Sequence, residues 1–208
     1  MSRMNVVFDF GGVLFRWHPP SFLARLWPHR VPDAAAGAAL AAEFFQNYGG
    51  DWGAFDQGLI GAEEVVVRIA SRTGWPRAEV EQVVRAVPDE LQALPATVAL
   101  IEELKAAGHR LFFLSNMPEP YADHLERSHP LGEWFEAGLF SGRVKQSKPG
   151  AEIYRLASRH FGVAPQELLF LDDHPANIEA ARAAGWQALL FSEAGAVRPQ
   201  LQALGLLL

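Results

Sequence analysis

Asp9 closes an apolar run in Val6-Val7-Phe8-Asp9-Phe10-Gly11-Gly12-Val13-Leu14. Continuous apolar runs of this kind form the inner strands of parallel sheets. Open α/β sheets bind their ligands at the carboxyl edge of such strands, which is where Asp9 would emerge. The adjacent glycines let backbone approach a bound ion or phosphate closely. A strand followed by an Asp-Gly-type turn, with no chemistry, is the other reading of this segment alone. Three more polar groups stand at comparable places. Ser115-Asn116 follows Arg110-Leu111-Phe112-Phe113-Leu114, and Asp172-Asp173 follows Leu168-Leu169-Phe170-Leu171. Lys148 directly precedes Pro149 at an expected helix start.

Carboxylates, a hydroxyl and an ammonium gathered at one sheet edge are the groups that a cation and a phosphate require. Mg²⁺ takes hard oxygen ligands, with one or two carboxylates completed by water and substrate. A lysine neutralises phosphate as a point charge, while hydroxyl and backbone N–H groups orient its oxygens. Each group also has a structural reading. Ser115-Asn116 can be a turn or helix cap, Lys148 a solvated lysine, and one of Asp172 and Asp173 an N-cap for the helix near Pro175. Adjacent carboxylates, however, raise each other's pKa unless a cation is near. Four such groups in order, each at an element end, form a joint signal that none carries singly.

The elements needed to place them are legible. From Pro95 onward helices alternate with strands: Ala96–Ala107, stopped by Gly108; the strand before Ser115; Pro149–Phe161, stopped by Gly162; the strand before Asp172; Ala176–Ala184, stopped by Gly185; and a closing strand over Trp186–Phe191. Alternation of this kind implies a parallel sheet covered on both faces. Between the first strand and this region, Ser21 to Leu94 reads as helical: a start at Phe22–Trp27, then Ala34–Phe45, Glu63–Ala70 and Arg77–Val87, with breaks at Gly49-Gly50-Asp51-Trp52 and Thr73-Gly74-Trp75-Pro76. Within it, Trp52 to Gly61 reads as the most loop-like stretch. Its aromatics, carboxylate and amide suit a sugar as well as they suit a core, and the core reading is favoured for Trp52 and Phe55.

The chain has 208 residues, 50% hydrophobic and 20% charged, which suits one core domain with a smaller insertion. A net charge of −6 argues against nucleic-acid binding through a general basic surface. With no cysteine, disulfides, thiolate zinc sites and cysteine nucleophiles are excluded, in keeping with a cytoplasmic protein. Met1 to Asn5 is too short and polar for a signal peptide, and no run is long enough to span a bilayer. The apolar end Leu204–Leu208 is expected to pack on the body of the protein or on a second copy, so the chain is expected as a monomer or homodimer.

Taken together, the four segments resemble the haloacid dehalogenase-like hydrolase superfamily, most of whose members are phosphatases, over essentially the whole chain. Asp9 matches the motif whose aspartate is the nucleophile, Ser115 the second, Lys148 the third and Asp173 the acidic fourth. The resemblance implies a Rossmann-like core of residues 1–17 and 95–208, with a helical cap, 18–94, inserted after the first strand. It further implies Mg²⁺ held by Asp9, the Gly11 carbonyl and Asp173, and an aspartyl-phosphate formed on Asp9. Ser115, Asn116, Lys148 and Gly12 would bind the phosphoryl group, with Asp172 and Asn177 in support. The Asp-Phe-Gly-Gly-Val and Asp-Asp-x-x-x-Asn forms look closest to bacterial sugar-phosphate phosphatases acting on α-D-glucose 1-phosphate.

One position departs from the family pattern. Two residues after the nucleophile, where family phosphatases commonly carry an acid–base aspartate, this chain has Gly11, as that sugar-phosphatase subgroup does. General acid–base help is worth about 10²- to 10⁴-fold. Its replacement is open between His18, His174, a residue from the cap, a water relay and an unprotonated leaving group, and His18 reads equally well as a loop histidine beside two prolines. The expected activity is therefore a Mg²⁺-dependent phosphomonoesterase for a small phosphorylated metabolite such as a sugar phosphate. The rivals are a metal-independent 2-haloacid dehalogenase, a sugar-phosphate mutase and a non-catalytic metabolite-binding protein.

Overall fold

The computed structural model describes residues 4–208; Met1 to Arg3, part of the expected core segment and of the polar N-terminus, lie outside the described residues. Strand β1, Asn5–Phe8, leads into a helical region of α1 (Pro19–Leu26), α2 (Ala34–Phe45), α3 (Gly50–Asp56), α4 (Ala62–Thr73) and α5 (Arg77–Glu90). Helix α6 (Pro95–Ala106) returns to β2 (Leu111–Ser115), followed by α7 (Glu119–Ser128), α8 (Leu131–Trp134), β3 (Ala137–Phe140) and α9 (Ser141–Val144). The chain ends with α10 (Ala151–Phe161), β4 (Leu168–Asp172), α11 (Pro175–Ala183), β5 (Gln187–Leu190) and α12 (Ala194–Ala203). The strands form one parallel sheet in the order β3-β2-β1-β4-β5. No helix among the described residues is long and apolar enough to cross a membrane.

Central strands are buried on both faces, so β1, β2 and β4 carry unbroken apolar runs rather than alternation. Val7, Phe112, Leu114, Leu168 and Phe170 face the side covered by Ile153, Tyr154, Ala157 and Phe161 of α10 and Ile178 of α11. Val6, Phe8, Leu111, Phe113, Leu169 and Leu171 face the other, where the core continues into the helical region through Phe15, Phe22, Phe44 and Phe55. The expected parallel α/β fold is thus the observed one. The apolar C-terminus packs on the body: Leu206 is buried in this second core, and its carbonyl lies 2.9 Å from His109 Nε2.

Several elements differ from the sequence reading. Gly49 to Trp52 does not simply break a helix, since α3 begins at Gly50, and the stretch read as loop-like from Trp52 is helical through Asp56. Strand β3 and helices α7, α8, α9 and α12 were not anticipated, and α10 begins at Ala151 rather than Pro149. Trp52 and Phe55 are buried, in agreement with their core reading.

The chain leaves β1 and comes back to the sheet along two touching passes. Phe15 pairs antiparallel with Ala93, Arg16 N–H donates to Gln92 C=O at 2.9 Å, and Leu94 N–H donates to Leu14 C=O at 2.8 Å. Beside this seam the buried Glu90 carboxylate receives Arg16 at 3.1 Å and Arg25 at 2.5 Å.

Candidate active site

Parallel register brings the ends of β1, β2 and β4 to one edge, because Phe8 is level with Phe113 and with Leu171. Asp9, Ser115 and Asp172 follow from that register, and all three are buried. Lys148 joins them from the loop before α10. Its Nζ lies 2.7 Å from Asp9 Oδ1 and 2.7 Å from Asp172 Oδ2, with Phe170 packed under the ammonium at 5.2 Å. Asn116 holds that loop in place: its Nδ2 donates to Lys148 C=O and its Oδ1 accepts from Lys148 N–H, both at 2.9 Å.

Asp172 is fully engaged by protein groups. Besides Lys148, it accepts from His174 N–H at 2.8 Å and from Asn177 Nδ2 at 3.0 and 3.1 Å. Asp173 is different, for its carboxylate lies over the bare backbone of Gly12. A Cβ on Gly12, whose φ is +76°, would sit 2.4 Å from Asp173 Oδ2. Glycine is needed there both for the backbone angle and for that approach.

Ligand atoms of Asp9, Asp172 and Asp173 lie within 4.8 Å of one another. Three carboxylates against one ammonium leave excess negative charge. Burial raises the Asp9 carboxyl to about 8; Lys148 opposes the shift, while Asp172 and Asp173 add to it. Asp173 is raised to about 6 by desolvation of its carboxylate and then by Asp172. Burial acts to lower the Lys148 pKa, but Asp172 and Asp9 outweigh it and the ammonium is held. All-oxygen donors with unneutralised charge fit a hard divalent cation.

These groups open into a cavity lined by Asp9, Gly11, Asn116, Lys148 and Asp173 on the sheet side. The opposite wall is formed by Trp17, just before α1, and by Asn47, Tyr48, Trp52 and Asp56 of the helical region. Gln46, Asn47 and Tyr48 have φ of 48°, 49° and 64°, a run of left-handed residues that sets Asn47 and Tyr48 against the cavity. Tyr48 OH accepts from Trp17 Nε1 at 3.1 Å, and burial first, then the nearby carboxylates, pushes its phenol up to about 12 although that hydrogen bond opposes the shift.

The residues singled out from sequence are placed as follows. Asp9, Lys148, Asp172 and Asp173 converge, Asn116 and Asn177 brace them, and Gly11 and Gly12 form the turn beside them. Ser115 is buried at the end of β2 and is not among the cavity-lining residues. His18 lies elsewhere: it caps α1, with its Nδ1 2.8 Å from Ser21 Oγ and accepting from Ser21 N–H. His174 lines the cavity. Asn47, Tyr48 and Tyr121 were not singled out; the turn-forming Asn47 to Gly50 was the only local signal for the first two.

The fold and this edge define a hydrolase class. Residues 4–185 match the haloacid dehalogenase-like hydrolases, and the chain belongs to that family. Among its curated relatives is a sesquiterpene phosphatase from Aspergillus oryzae, 26% identical over 95% of this chain and 94% of the relative. Hexitol phosphatase A of Escherichia coli is 32% identical over 57% of this chain and 54% of its own length. The chain spans about half the length, or less, of other curated relatives such as protein CbbY of Cereibacter sphaeroides and phosphoglycolate phosphatase of Escherichia coli. Among solved structures, a HAD-like family hydrolase of Porphyromonas gingivalis superposes with a TM-score of 0.72 at 22% identity, covering 98% of both chains. A HAD family enzyme of Bacteroides thetaiotaomicron, in complex with magnesium and inorganic phosphate, gives 0.69 at 20% identity over 90% of this chain and 93% of that one. At these identities the structural likeness is one of fold.

Proposed function

We propose that this hydrolase is a Mg²⁺-dependent phosphomonoesterase for a small phosphorylated metabolite, with Asp9 as nucleophile. The observation that carries the reading is the Asp9–Lys148–Asp172 chain of 2.7 Å contacts beside Asp173. A binding protein has no need of a buried carboxylate aimed into a cavity, whereas a displacement at phosphorus does. The magnesium and phosphate in the Bacteroides thetaiotaomicron enzyme support the same assignment.

In this reading Asp9, the Gly11 carbonyl and Asp173 would hold the cation. When bound it supplies charge neutralisation between an anionic nucleophile and an anionic substrate. Asp9 attacks phosphorus and carries the phosphoryl group as an acyl phosphate until water releases it. Lys148 fixes the Asp9 carboxylate and faces the phosphoryl oxygens as a point charge, with Ser115, Asn116 N–H and the Gly12 turn completing their cradle. Asp172 and Asn177 keep Lys148 aligned. Residues 18–94 act as a cap over a core formed by 1–17 and 95–208.

Leaving groups of the sugar or polyol type match the hexitol phosphatase relative and the polar Asn47 and Asp56 in the wall. The aromatic remainder of that wall and the full-length sesquiterpene phosphatase relative favour a second class, an apolar alcohol.

Phosphate release from a panel containing α-D-glucose 1-phosphate, a hexitol phosphate and a prenyl phosphate tests the reading, with Mg²⁺ or EDTA. Turnover is expected with Mg²⁺ only, and Asp9→Asn is expected to abolish it. Metal-independent release of halide from 2-haloacids, with no phosphate from any ester, would replace this reading with the dehalogenase one. An isomerised sugar phosphate as the main product would replace it with the mutase.

A further inference from the structure

Gly11 presents no side chain to the substrate. A Cβ there would already meet Trp17 Cδ1 at 3.3 Å, so the indole occupies the space into which a longer side chain would grow. An alkoxide leaving group still needs a proton. The other acids and bases of the site are committed: Lys148 and Asp172 to each other and to Asp9, Asp173 to the face over Gly12, and His18 to the end of α1.

His174, the phenols of Tyr48 and Tyr121, and Asp56 are the titratable groups left in the cavity wall, and Asp56 is the one carboxylic acid among them. Asp56, at the last turn of α3, is 6% exposed and lines the same cavity as Asp9 and Asn116. Among the described residues it has no ion-pair partner, and its side chain takes a hydrogen bond from Trp52. Burial, the largest influence on it, favours the protonated form, against the Trp52 hydrogen bond and Lys148; Asp9 adds to the burial effect. Tyr48 and Tyr121 are the other titratable groups that feel its charge.

Its position is fixed from the sheet side. Ser141 Oγ donates to Asp56 C=O and accepts from Met117 N–H at 2.8 Å, so Asp56 is tied to the loop that follows β2. The next two residues are tied as well: Gln57 Nε2 donates to Lys145 C=O at 2.8 Å, and Lys145 Nζ donates to Gly58 C=O at 2.7 Å. Gly58 comes so near that a Cβ on it would lie 2.3 Å from Gly142 O. Such a clasp holds a carboxyl group in place more firmly than a free-standing loop could.

We propose that Asp56 is the general acid and base of the reaction, supplied by the helical region where Gly11 cannot serve. The proposal rests on the phosphatase reading above. In the first step an Asp9 oxygen bonds to phosphorus while the ester P–O bond breaks. The bonding pair goes to the leaving oxygen, which takes the Asp56 carboxyl proton and departs as an alcohol. Water then enters on the side that the alcohol vacated. It bonds to phosphorus, loses a proton to the Asp56 carboxylate, and the acyl-phosphate P–O bond breaks to regenerate both aspartates.

The test compares Asp56→Asn with wild type on an alkyl phosphate and on p-nitrophenyl phosphate, both with Mg²⁺. Asparagine keeps an acceptor for Trp52 but cannot release a proton. On the alkyl ester kcat/KM is expected to fall about 10²- to 10⁴-fold, while the aryl ester, whose leaving group needs no proton, changes only a few-fold. Wild-type rates across substituted aryl phosphates give a measurement that no mutant's folding can spoil. They are expected to depend weakly on leaving-group acidity. Equal losses on both esters, no loss on either, or a steep wild-type dependence overturns the role of Asp56 and leaves the phosphatase reading standing. Wild type inactive on every ester overturns both.

Discussion

At the scale of single residues, Lys148 is the keystone charge. It lies between two buried carboxylates, and removing one partner of such a set leaves charge uncompensated at a cost of about 3–5 kcal/mol. Lys148→Met is therefore expected to lose stability of that order in chemical unfolding, with Mg²⁺ restoring part of it and phosphate release absent. An unchanged unfolding midpoint would show that Asp9 and Asp172 do not depend on the ammonium. Asp9, Ser115, Lys148 and the Asp172-Asp173 pair were legible from sequence because each polar group interrupts or follows an apolar element. Asp56 was visible only as a carboxylate within a stretch taken for a loop. Its significance comes from contacts with Ser141, Trp52 and the cavity, which no local pattern encodes.

Among the elements, α3 and β3 show why part of the fold escaped the sequence. Both are short and interrupted by glycines that close packing demands. A Cβ on Gly53 would lie 2.6 Å from Tyr48 O, and one on Gly138 would lie 2.1 Å from Phe113 Cε1. Residues selected for these approaches are poor helix and strand formers, so packing erased the propensity signal. Strands β1, β2 and β4, with their long apolar side chains, had no such conflict. The junction between α3 and α9 runs through Ser141, which is fully buried. Ser141→Ala strands the Asp56 carbonyl and the Met117 N–H, each unmade partner costing about 1–3 kcal/mol. For a chain of this size that corresponds to a melting midpoint lower by about 2–4 °C per kcal/mol. Calorimetry checks this, and a midpoint equal to wild type would mean that the contact contributes nothing.

For the whole molecule, the crowded acidic edge couples protonation to folding. Asp9 and Asp173 are raised from 3.8 to about 8 and about 6, Asp9 chiefly by burial and Asp173 chiefly by desolvation with help from Asp172. A group raised on folding binds protons more tightly in the native state. Its stabilisation is complete below the unfolded value and is lost as pH climbs through the folded one. Metal-free protein is thus expected to melt at falling temperatures between about pH 4 and about pH 8, and Mg²⁺ to raise the midpoint more at the alkaline end. A midpoint that stays flat with pH and ignores Mg²⁺ would contradict this.

The seam between Phe15 and Ala93 bears on how such a protein can change over time. Because departure and return lie side by side, the sheet perceives everything from Arg16 to Gln92 as one closed excursion. Closing a flexible excursion of twice the length costs only about 0.6 kcal/mol more. Insertions and deletions in the helical wall of the cavity are therefore nearly invisible to the strands that carry Asp9, Ser115 and Asp172. Lineages can lengthen, shorten or replace that wall while the acidic edge of the sheet is inherited intact.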